Sequence, residues 1–294
     1  MTTRSTSVSA RTAITGARIL TLASADPSDR DPRRGRDLAD LGVVDRGWIL
    51  IEEGGIKEIG AGDAPVLTAE TRVVHAEGRV VMPAFVDCHT HACFAGDRTN
   101  EFEARLAGVS YLDILAGGGG IMATVRAVRA AEETLLAEAL VGRLERMARL
   151  GTGTVEVKSG YGLDSETELK MLRAIRLASE RSPQIVIPTF LGAHALDADA
   201  EDSVVAIDRI IEETLPEVAA AFPGIVCDAY CEHGAWNLAD CRRLFESAQE
   251  LGCPIRVHTD QFNRLGMTRL ALEMNARSVD HLEATSSTDL QRIA

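Results

Sequence analysis

The stretch that decides the fold is Met82-Pro83-Ala84-Phe85-Val86-Asp87-Cys88-His89-Thr90-His91. It is an apolar, strand-like run that ends in two histidines one residue apart. In an extended strand, side chains at positions i and i+2 point to the same face. His89 and His91 can therefore reach one point in space, where a metal ion would sit. In an α/β chain such a strand end favours a barrel with a metal site at its catalytic mouth. The alternative is a pair of surface or hydrogen-bonded histidines.

The composition is that of an ordinary globular protein, with 46% hydrophobic and 26% charged residues over a length of 294. A formal net charge of −13 argues against a nucleic-acid partner, which calls for a basic face. No stretch approaches the roughly 20 apolar residues that span a bilayer, so we expect no membrane partner. The polar segment 1–11 has no signal-peptide core, and the six cysteines form no C-x-x-C pair. We therefore expect a cytoplasmic protein with reduced thiols.

The pattern of apolar runs changes near residue 78 and predicts two domains. Residues 1–77 hold short apolar runs separated by turns, and the run 48–59 has Gly54-Gly55 at a hairpin turn. A small, β-sandwich-like domain fits this part. Residues 78–294 alternate between strand and helix patterns, which predicts a parallel sheet.

Six candidate strands follow this alternation: 80–88, 154–158, 185–191, 225–230, 255–258 and 277–281. Helical patterns cover 131–150, 165–181, 203–221, 238–251 and 265–276, and Ser165 with Glu168 fits a capping box. The absence of a glycine-rich phosphate fingerprint after the first strand favours a (β/α)8 TIM-like barrel over a doubly wound sheet. Because such a barrel has eight strands, we expect a barrel that is incomplete at its C-terminus.

Six of the seven histidines lie at the ends of these candidate strands, at positions 89, 91, 194, 233, 258 and 281. The C-terminal strand ends of barrel enzymes carry the chemistry, so this distribution strengthens the metal-site interpretation. Imidazole suits zinc or iron, and three neutral histidines with one carboxylate form a hydrolytic site. His281 is the candidate for moving protons; the alternative is that it only holds the site by hydrogen bonding. Cys88 and Cys93 are alternative ligands, and Glu232-His233 is either a surface loop or support for the site.

Several segments together resemble the amidohydrolase superfamily, and within it the imidazolonepropionases of histidine degradation. They are Cys88-His89-Thr90-His91, Phe94-Ala95-Gly96-Asp97-Arg98, Glu101, Arg105, Tyr111, Gly117-Gly118-Gly119-Gly120-Ile121, Lys158-Ser159-Gly160-Tyr161-Gly162-Leu163, Gly192-Ala193-His194-Ala195 and Val279-Asp280-His281-Leu282. The resemblance covers nearly the whole chain. The His-x-His pair marks only the superfamily, whereas the Gly-Asp-Arg and Lys-Ser-Gly-Tyr-Gly segments are more specific.

The resemblance implies hydrolysis of the cyclic amide C–N bond of 4-imidazolone-5-propanoate, a small-molecule substrate, to N-formimino-L-glutamate. It implies one divalent metal ion, zinc or iron, bound by His89, His91 and His258. It also favours a homodimer. The run 117–120 would belong to a mobile loop over the site, and its alternative is a plain flexible linker.

The resemblance also assigns roles around the metal. Arg98 would hold the propionate group, for which its planar fork is suited. Tyr161 and His194 would line the substrate pocket, and His281 would help to activate water. Gln261 departs from family members with Glu at this position; since Gln cannot act as a base, it would hydrogen-bond the substrate ring.

Two alternatives stay open. Another amidohydrolase activity, such as that of a cytosine or guanine deaminase, would not require the cation of Arg98. The family's remaining metal ligand is an Asp on a later strand, which this sequence does not reach. The second alternative is therefore a truncated, inactive fragment.

Overall fold

The computed structural model describes residues 11–24, 33–110, 113–114, 117–197 and 202–293. The chain divides into two compact units, Met1–Ala84 and Phe85–Ala294. Tyr111 and most of the polar segment at the N-terminus lie outside the described residues. Within the described ranges, no helix has both the length and the apolar character that crossing a bilayer requires.

The first unit contains one five-stranded sheet. Its strands are β1 (Arg11–Leu20), β2 (Val43–Glu52), β3 (Gly55–Ala61), β4 (Arg72–His75) and β5 (Val80–Val81). Strands β1, β2 and β3 pair antiparallel, whereas β4 and β5 both run parallel to β1. The hairpin expected around Gly54 is present, with positive φ at Glu53 and Gly54, as tight hairpin turns require. The sandwich form and the boundary at residues 77 and 78 stay predictions.

The second unit is built on a parallel sheet of six strands: β6 (Phe85–Asp87), β7 (Thr152–Lys158), β8 (Ile185–Ala193), β9 (Val226–Cys231), β10 (Val257–Thr259) and β11 (Val279–His281). Neighbours in the sheet are neighbours in the chain, from β6 at one edge to β11 at the other. This order is typical of a (β/α) barrel, because a doubly wound sheet reverses its strand order part-way.

Helices follow the strands; those between residues 131 and 276 match the helical patterns of the sequence, whereas the two between residues 99 and 130 were not predicted. They are α1 (Thr99–Leu106), α2 (Ile121–Ala130), α3 (Glu133–Arg149), α4 (Ser165–Arg181), α5 (Ser203–Arg209), α6 (Leu215–Ala221), α7 (Leu238–Glu250), α8 (Met267–Glu273) and α9 (Ser287–Ile293). A π-helical segment, Ile210–Thr214, joins α5 to α6. Leu136, Leu140 and Leu144 lie on one face of α3 and are buried in the same core as Val157 of β7.

The prediction of one continuous strand over 80–88 is wrong. The segment is divided between β5 in the first unit and β6 in the second. Pro83 lies between them, and a proline has no N–H to donate to a sheet ladder. The chain therefore leaves one sheet before this residue and enters the other after it.

The capping box predicted at the start of α4 is also wrong. Asp164, one residue earlier, is the N-cap, and its Oδ1 accepts the N–H of Thr167 at 2.7 Å. Ser165 donates to or accepts from the hydroxyl of Thr214 instead. Glu168 is fully buried and faces the preceding loop, where it accepts backbone N–H groups of Gly162 and its neighbours.

Replacing Asp164 by Ala should lower the free energy of unfolding by about 1 kcal/mol, because the N–H of Thr167 loses its acceptor. Asp164→Asn keeps an acceptor oxygen in the same place and should lose much less. Urea unfolding of the two variants and the unaltered protein measures both values. An equal loss in both variants would assign the stabilisation to the ion pair between Asp164 and Arg129 instead of the cap.

Candidate metal centre

Three histidines bring their Nε2 atoms together at the C-terminal ends of β6 and β10. His91 Nε2 lies 3.3 Å from His89 Nε2 and 3.1 Å from His258 Nε2. Two nitrogens that each lie about 2.0–2.1 Å from a tetrahedral zinc ion are about 3.3–3.4 Å from one another. The observed spacing therefore fits a single ion held by all three rings.

The backbone around Thr90 sets the common direction of His89 and His91. The carbonyl of Thr90 accepts the N–H of Lys158 at 3.0 Å, and its hydroxyl donates to the carbonyl of Glu156 at 2.6 Å. The extended chain thus stays attached to β7 beyond the end of β6. The side chain of Thr90 is directed at β7, and the two histidines on either side of it project toward His258.

Carboxylates hold the outer nitrogens of two of these rings. His258 Nδ1 lies 3.1 Å from Asp228 Oδ1, and His89 Nδ1 lies 3.3 Å from Asp280 Oδ2. An Nδ1–H that donates to a carboxylate leaves the Nε2 lone pair directed at the centre, which is the arrangement that metal-ligating histidines use. His91 Nδ1 is buried and has no hydrogen-bond partner among the described residues.

A fully buried lysine connects the two carboxylates. Lys158 Nζ lies 2.7 Å from Asp228 Oδ2, 2.7 Å from Glu156 Oε1 and 3.9 Å from Asp280 Oδ2. Burial acts to raise the pKa of Asp228, but His258 and Lys158 outweigh it and hold this pKa well below its usual range. Asp228 and Asp280 also form a candidate cation cluster with His258, and the ammonium group of Lys158 already provides a positive charge there.

Burial and the neighbouring imidazoles of His194 and His258 hold the pKa of His91 far below its usual value. The ring is therefore neutral at physiological pH, which is the form that binds a metal. The ring of His194 stacks on that of His91 at a centroid distance of 4.8 Å. Its Nδ1 donates to the carbonyl of Gly160 at 2.8 Å, and burial lowers its pKa to about 4. His194 Nε2 is then a hydrogen-bond acceptor.

A cavity of about 350 Å³ opens beside the histidines. Its lining includes His91, Tyr161 and Arg98. The ring of Tyr161 lies 6.0 Å from that of His91, and burial raises the pKa of its hydroxyl. Arg98 donates to Glu101 Oε2 through Nε at 2.8 Å, and Glu101 Oε1 accepts the N–H of Gly120 at 3.0 Å. The glycine-rich segment is thereby connected to the arginine.

His281 lies beside two of the three histidines. The centroid of its ring is 5.3 Å from that of His89 and 5.4 Å from that of His258. Burial lowers its pKa, and its Nδ1 lies 3.6 Å from Glu283 Oε1. His281 and Leu282 both have positive φ, at 79° and 77°. Residues with a Cβ rarely adopt this conformation, so the surrounding structure enforces the turn.

Gln261 lies three residues after His258, in a loop that Glu232 holds in place. Glu232 is buried and accepts the N–H groups of Phe262 at 2.9 Å and Asn263 at 3.0 Å. The surface-loop interpretation of Glu232 is therefore wrong, although His233 is exposed. In the described part of the chain Gln261 makes no hydrogen bond to the histidine cluster.

The cysteine alternative is not supported. Cys88 is exposed, and no cysteine belongs to a candidate metal cluster among the described residues. Cys93 is buried, and burial raises the pKa of its thiol to about 12.

Sequence reasoning missed the carboxylates behind the histidines. Glu156, Lys158 and Asp228 are charged residues inside otherwise apolar strands, and all three are buried. Strands in a parallel sheet are normally continuous apolar runs. The charged residues that interrupt these runs were therefore the sequence feature that could have indicated the buried charges. A charged side chain at such a position must find a partner, because an unpaired buried charge is very costly.

The family model described as "Amidohydrolase family" matches residues 80–293. The chain belongs to this family. Curated relatives that match the chain are named imidazolonepropionase. The protein of Symbiobacterium thermophilum is 45% identical over 90% of this chain and 63% of its own length. That of Methylobacterium nodulans is 42% identical over 95% of the chain and 66% of its own length. This amidohydrolase chain thus spans about 63% of the first of these relatives.

Solved structures show the same fold at low sequence identity. A 5-methylcytosine deaminase from Klebsiella pneumoniae has a TM-score of 0.58 and 16% identity, covering 89% of this chain and 55% of its own. A guanine deaminase from C. acetobutylicum has a TM-score of 0.53 and 10% identity, covering 96% of this chain and 65% of its own. With the six parallel strands in chain order, these similarities indicate an amidohydrolase-type barrel.

Replacing Lys158 by Met should lower the free energy of unfolding by about 3–5 kcal/mol, because Asp228 would lose its buried cation and Glu156 would keep only Arg256 as a cationic partner. The matched control is Arg173→Met, which breaks the half-exposed pair with Glu133 and should cost at most about 1 kcal/mol. Urea unfolding curves compare the two. Similar losses in both variants would contradict the role of Lys158 as an internal counter-charge.

Proposed function

We propose that the protein is a metal-dependent hydrolase that opens the cyclic amide of 4-imidazolone-5-propanoate to N-formimino-L-glutamate. The observation that carries the proposal is the cavity that Arg98 and Tyr161 line together with His91. The substrate is a ring with a propionate group, so its site needs a cation at a distance from the reacting carbonyl. Arg98 offers the cation, and His91 marks the side on which the carbonyl would react. The relatives named imidazolonepropionase support the same reaction.

In this proposal His89, His91 and His258 hold one zinc or iron ion. Three neutral imidazole nitrogens accept either metal. Such an ion would supply a positive charge that favours attack of water on the ring carbonyl at neutral pH. Asp228 keeps the ring of His258 oriented, since it accepts from its outer nitrogen, and Asp280 lies 3.3 Å from the outer nitrogen of His89.

The chain's own residues move the proton. The lowered pKa of His281 keeps its ring neutral near pH 7, so it can accept a proton as water attacks the ring carbonyl. The same ring then returns the proton to the nitrogen that leaves when the C–N bond breaks. Gln261 has no basic group, and we assign it a hydrogen bond to the substrate ring.

Recognition divides between the two ends of the substrate. The fork of Arg98 would bind the propionate carboxylate, sharing its donors with Glu101. Tyr161 keeps its proton because burial raises its pKa, so it is a donor. His194 Nε2 is an acceptor and suits a ring N–H. The same proposal includes a closed barrel of eight strands, a cytoplasmic location and a homodimer.

Equilibrium dialysis of the metal-free protein should yield one zinc or iron ion per chain. Asp228→Asn should weaken the affinity by about 10- to 100-fold, since it removes the carboxylate that orients His258. His258→Ala should weaken it further. His233→Ala changes an exposed histidine outside the cluster and serves as the control. Tight binding that survives His258→Ala would place the metal elsewhere.

The substrate assignment is tested on imidazolonepropanoate by following the loss of the ring chromophore. Arg98→Ala should raise KM by about 100-fold with a smaller effect on kcat, because the lost contact lies away from the reacting carbonyl. Thr99→Ala, at the adjacent position, is the control. Ammonia release from cytosine or guanine should be absent. Unchanged turnover in Arg98→Ala, or efficient deamination, would refute the assignment.

A further inference from the structure

Glu168 is a buried carboxylate that the proposed reaction does not use. It lies in the first turn of α4 and is 0% exposed. Its Oε1 accepts the N–H of Gly162 at 2.7 Å and that of Leu163 at 3.0 Å, and its Oε2 accepts the N–H of Gly160 at 3.0 Å. One side chain therefore binds three backbone N–H groups of the loop that follows β7.

The loop is shaped to bring its backbone against this carboxylate. A Cβ on Gly162 would lie 2.6 Å from the backbone nitrogen of Glu168 and 2.9 Å from its Oε1. Gly160 has a φ of +103°, and Leu163 has a φ of 61°. The two glycines and the strained leucine let three N–H groups converge on one point, as in the backbone concavities that bind anions.

The environment of Glu168 explains why the site requires an acceptor. Burial raises the pKa of Glu168, while the hydroxyl of Ser159 and the loop N–H groups act to lower it. Without the carboxylate, the N–H groups of Gly160, Gly162 and Leu163 would lose this acceptor, and a buried N–H group without an acceptor destabilises the fold.

The same loop sets two rings of the proposed substrate pocket. Tyr161 lies between the two anchored glycines, and its ring is 5.2 Å from that of His194. The carbonyl of Gly160 accepts from His194 Nδ1 at 2.8 Å. Gly160 is thus bound by Glu168 through its N–H and by His194 through its carbonyl, and the hydrogen bonds run from α4 to the ring stacked on His91.

We propose that Glu168 is a positioning residue: its carboxylate holds the loop Gly160–Leu163 so that Tyr161 faces the substrate cavity and His194 stacks on His91. The inference rests on the proposed function only for the identity of the ligand. Its role differs from that of a helix cap, since Asp164 caps α4 and Glu168 binds residues outside the helix.

The first test measures the loop without any ligand. Glu168→Ala should speed the amide hydrogen exchange of residues 160–163 by about tenfold or more, because the native loop loses its acceptors. Nitration of Tyr161 by tetranitromethane should also become faster. Glu168→Gln keeps one accepting oxygen and should give smaller changes; it also serves if the Ala variant fails to fold. Glu166→Ala, an exposed residue of the same helical turn, is the matched control.

The second test connects the loop to the pocket. Titration calorimetry with imidazole-4-propanoate, a stable ring-and-carboxylate probe, should show binding weakened about tenfold to 100-fold in Glu168→Ala. Zinc stoichiometry by metal analysis should stay that of the unaltered protein. In combination with Tyr161→Phe the two losses should be less than additive, because both act on the same contact.

Wild-type exchange rates for residues 160–163 in both Glu168 variants would overturn the proposal, and so would losses that add fully with Tyr161→Phe. If the unaltered protein binds no imidazole-4-propanoate, the proposed function fails instead. Exchange and nitration then still decide whether Glu168 holds the loop.

Discussion

The charge on Lys158 is the constraint on which the metal centre depends. Its ammonium group is fully buried and binds Asp228 and Glu156 directly, with Asp280 at 3.9 Å. Buried ion pairs contribute little net stability compared with apolar side chains of similar volume, because desolvation offsets the attraction. The group is therefore best understood through what it keeps ionised: the carboxylates that direct His258 and His89 toward a common point.

The parallel sheet makes this arrangement possible with few residues. Charged positions on β7 and β9 lie beneath histidines at the ends of β6 and β10, since adjacent parallel strands keep their register. The levels along the strand direction, from the middle of the sheet to the loops after it, therefore have different roles. The buried level holds charge, the next level presents the ring nitrogens, and the loops beyond it form the cavity wall.

The sequence predicted the parts of the structure that follow a period. The helix over 133–149 and the common face of His89 and His91 both follow from spacing, since period 3.6 and period 2 fix which side chains share a face. His258 was added to this pair by the family resemblance. The strand over 80–88 failed because an apolar run does not show which of two sheets takes each half. Asp228 was missed because a single buried carboxylate has no period, and only its location inside an apolar strand distinguishes it.

The loops beyond the strand ends were least visible in the sequence, and the reason is physical. Glu168 and Glu232 each bind several backbone N–H groups, which every residue but proline offers, so the type of the neighbouring residues does not identify these contacts. The incorrect prediction of a capping box shows the consequence. A Ser-x-x-Glu pattern is equally compatible with a glutamate that turns away from the helix and binds the preceding loop. Such a glutamate needs close backbone approach, and the glycines at 160 and 162 permit it. A glutamate at the start of a helix, preceded by a loop with glycines two residues apart, is therefore better tested as a loop anchor before it is assigned as a cap.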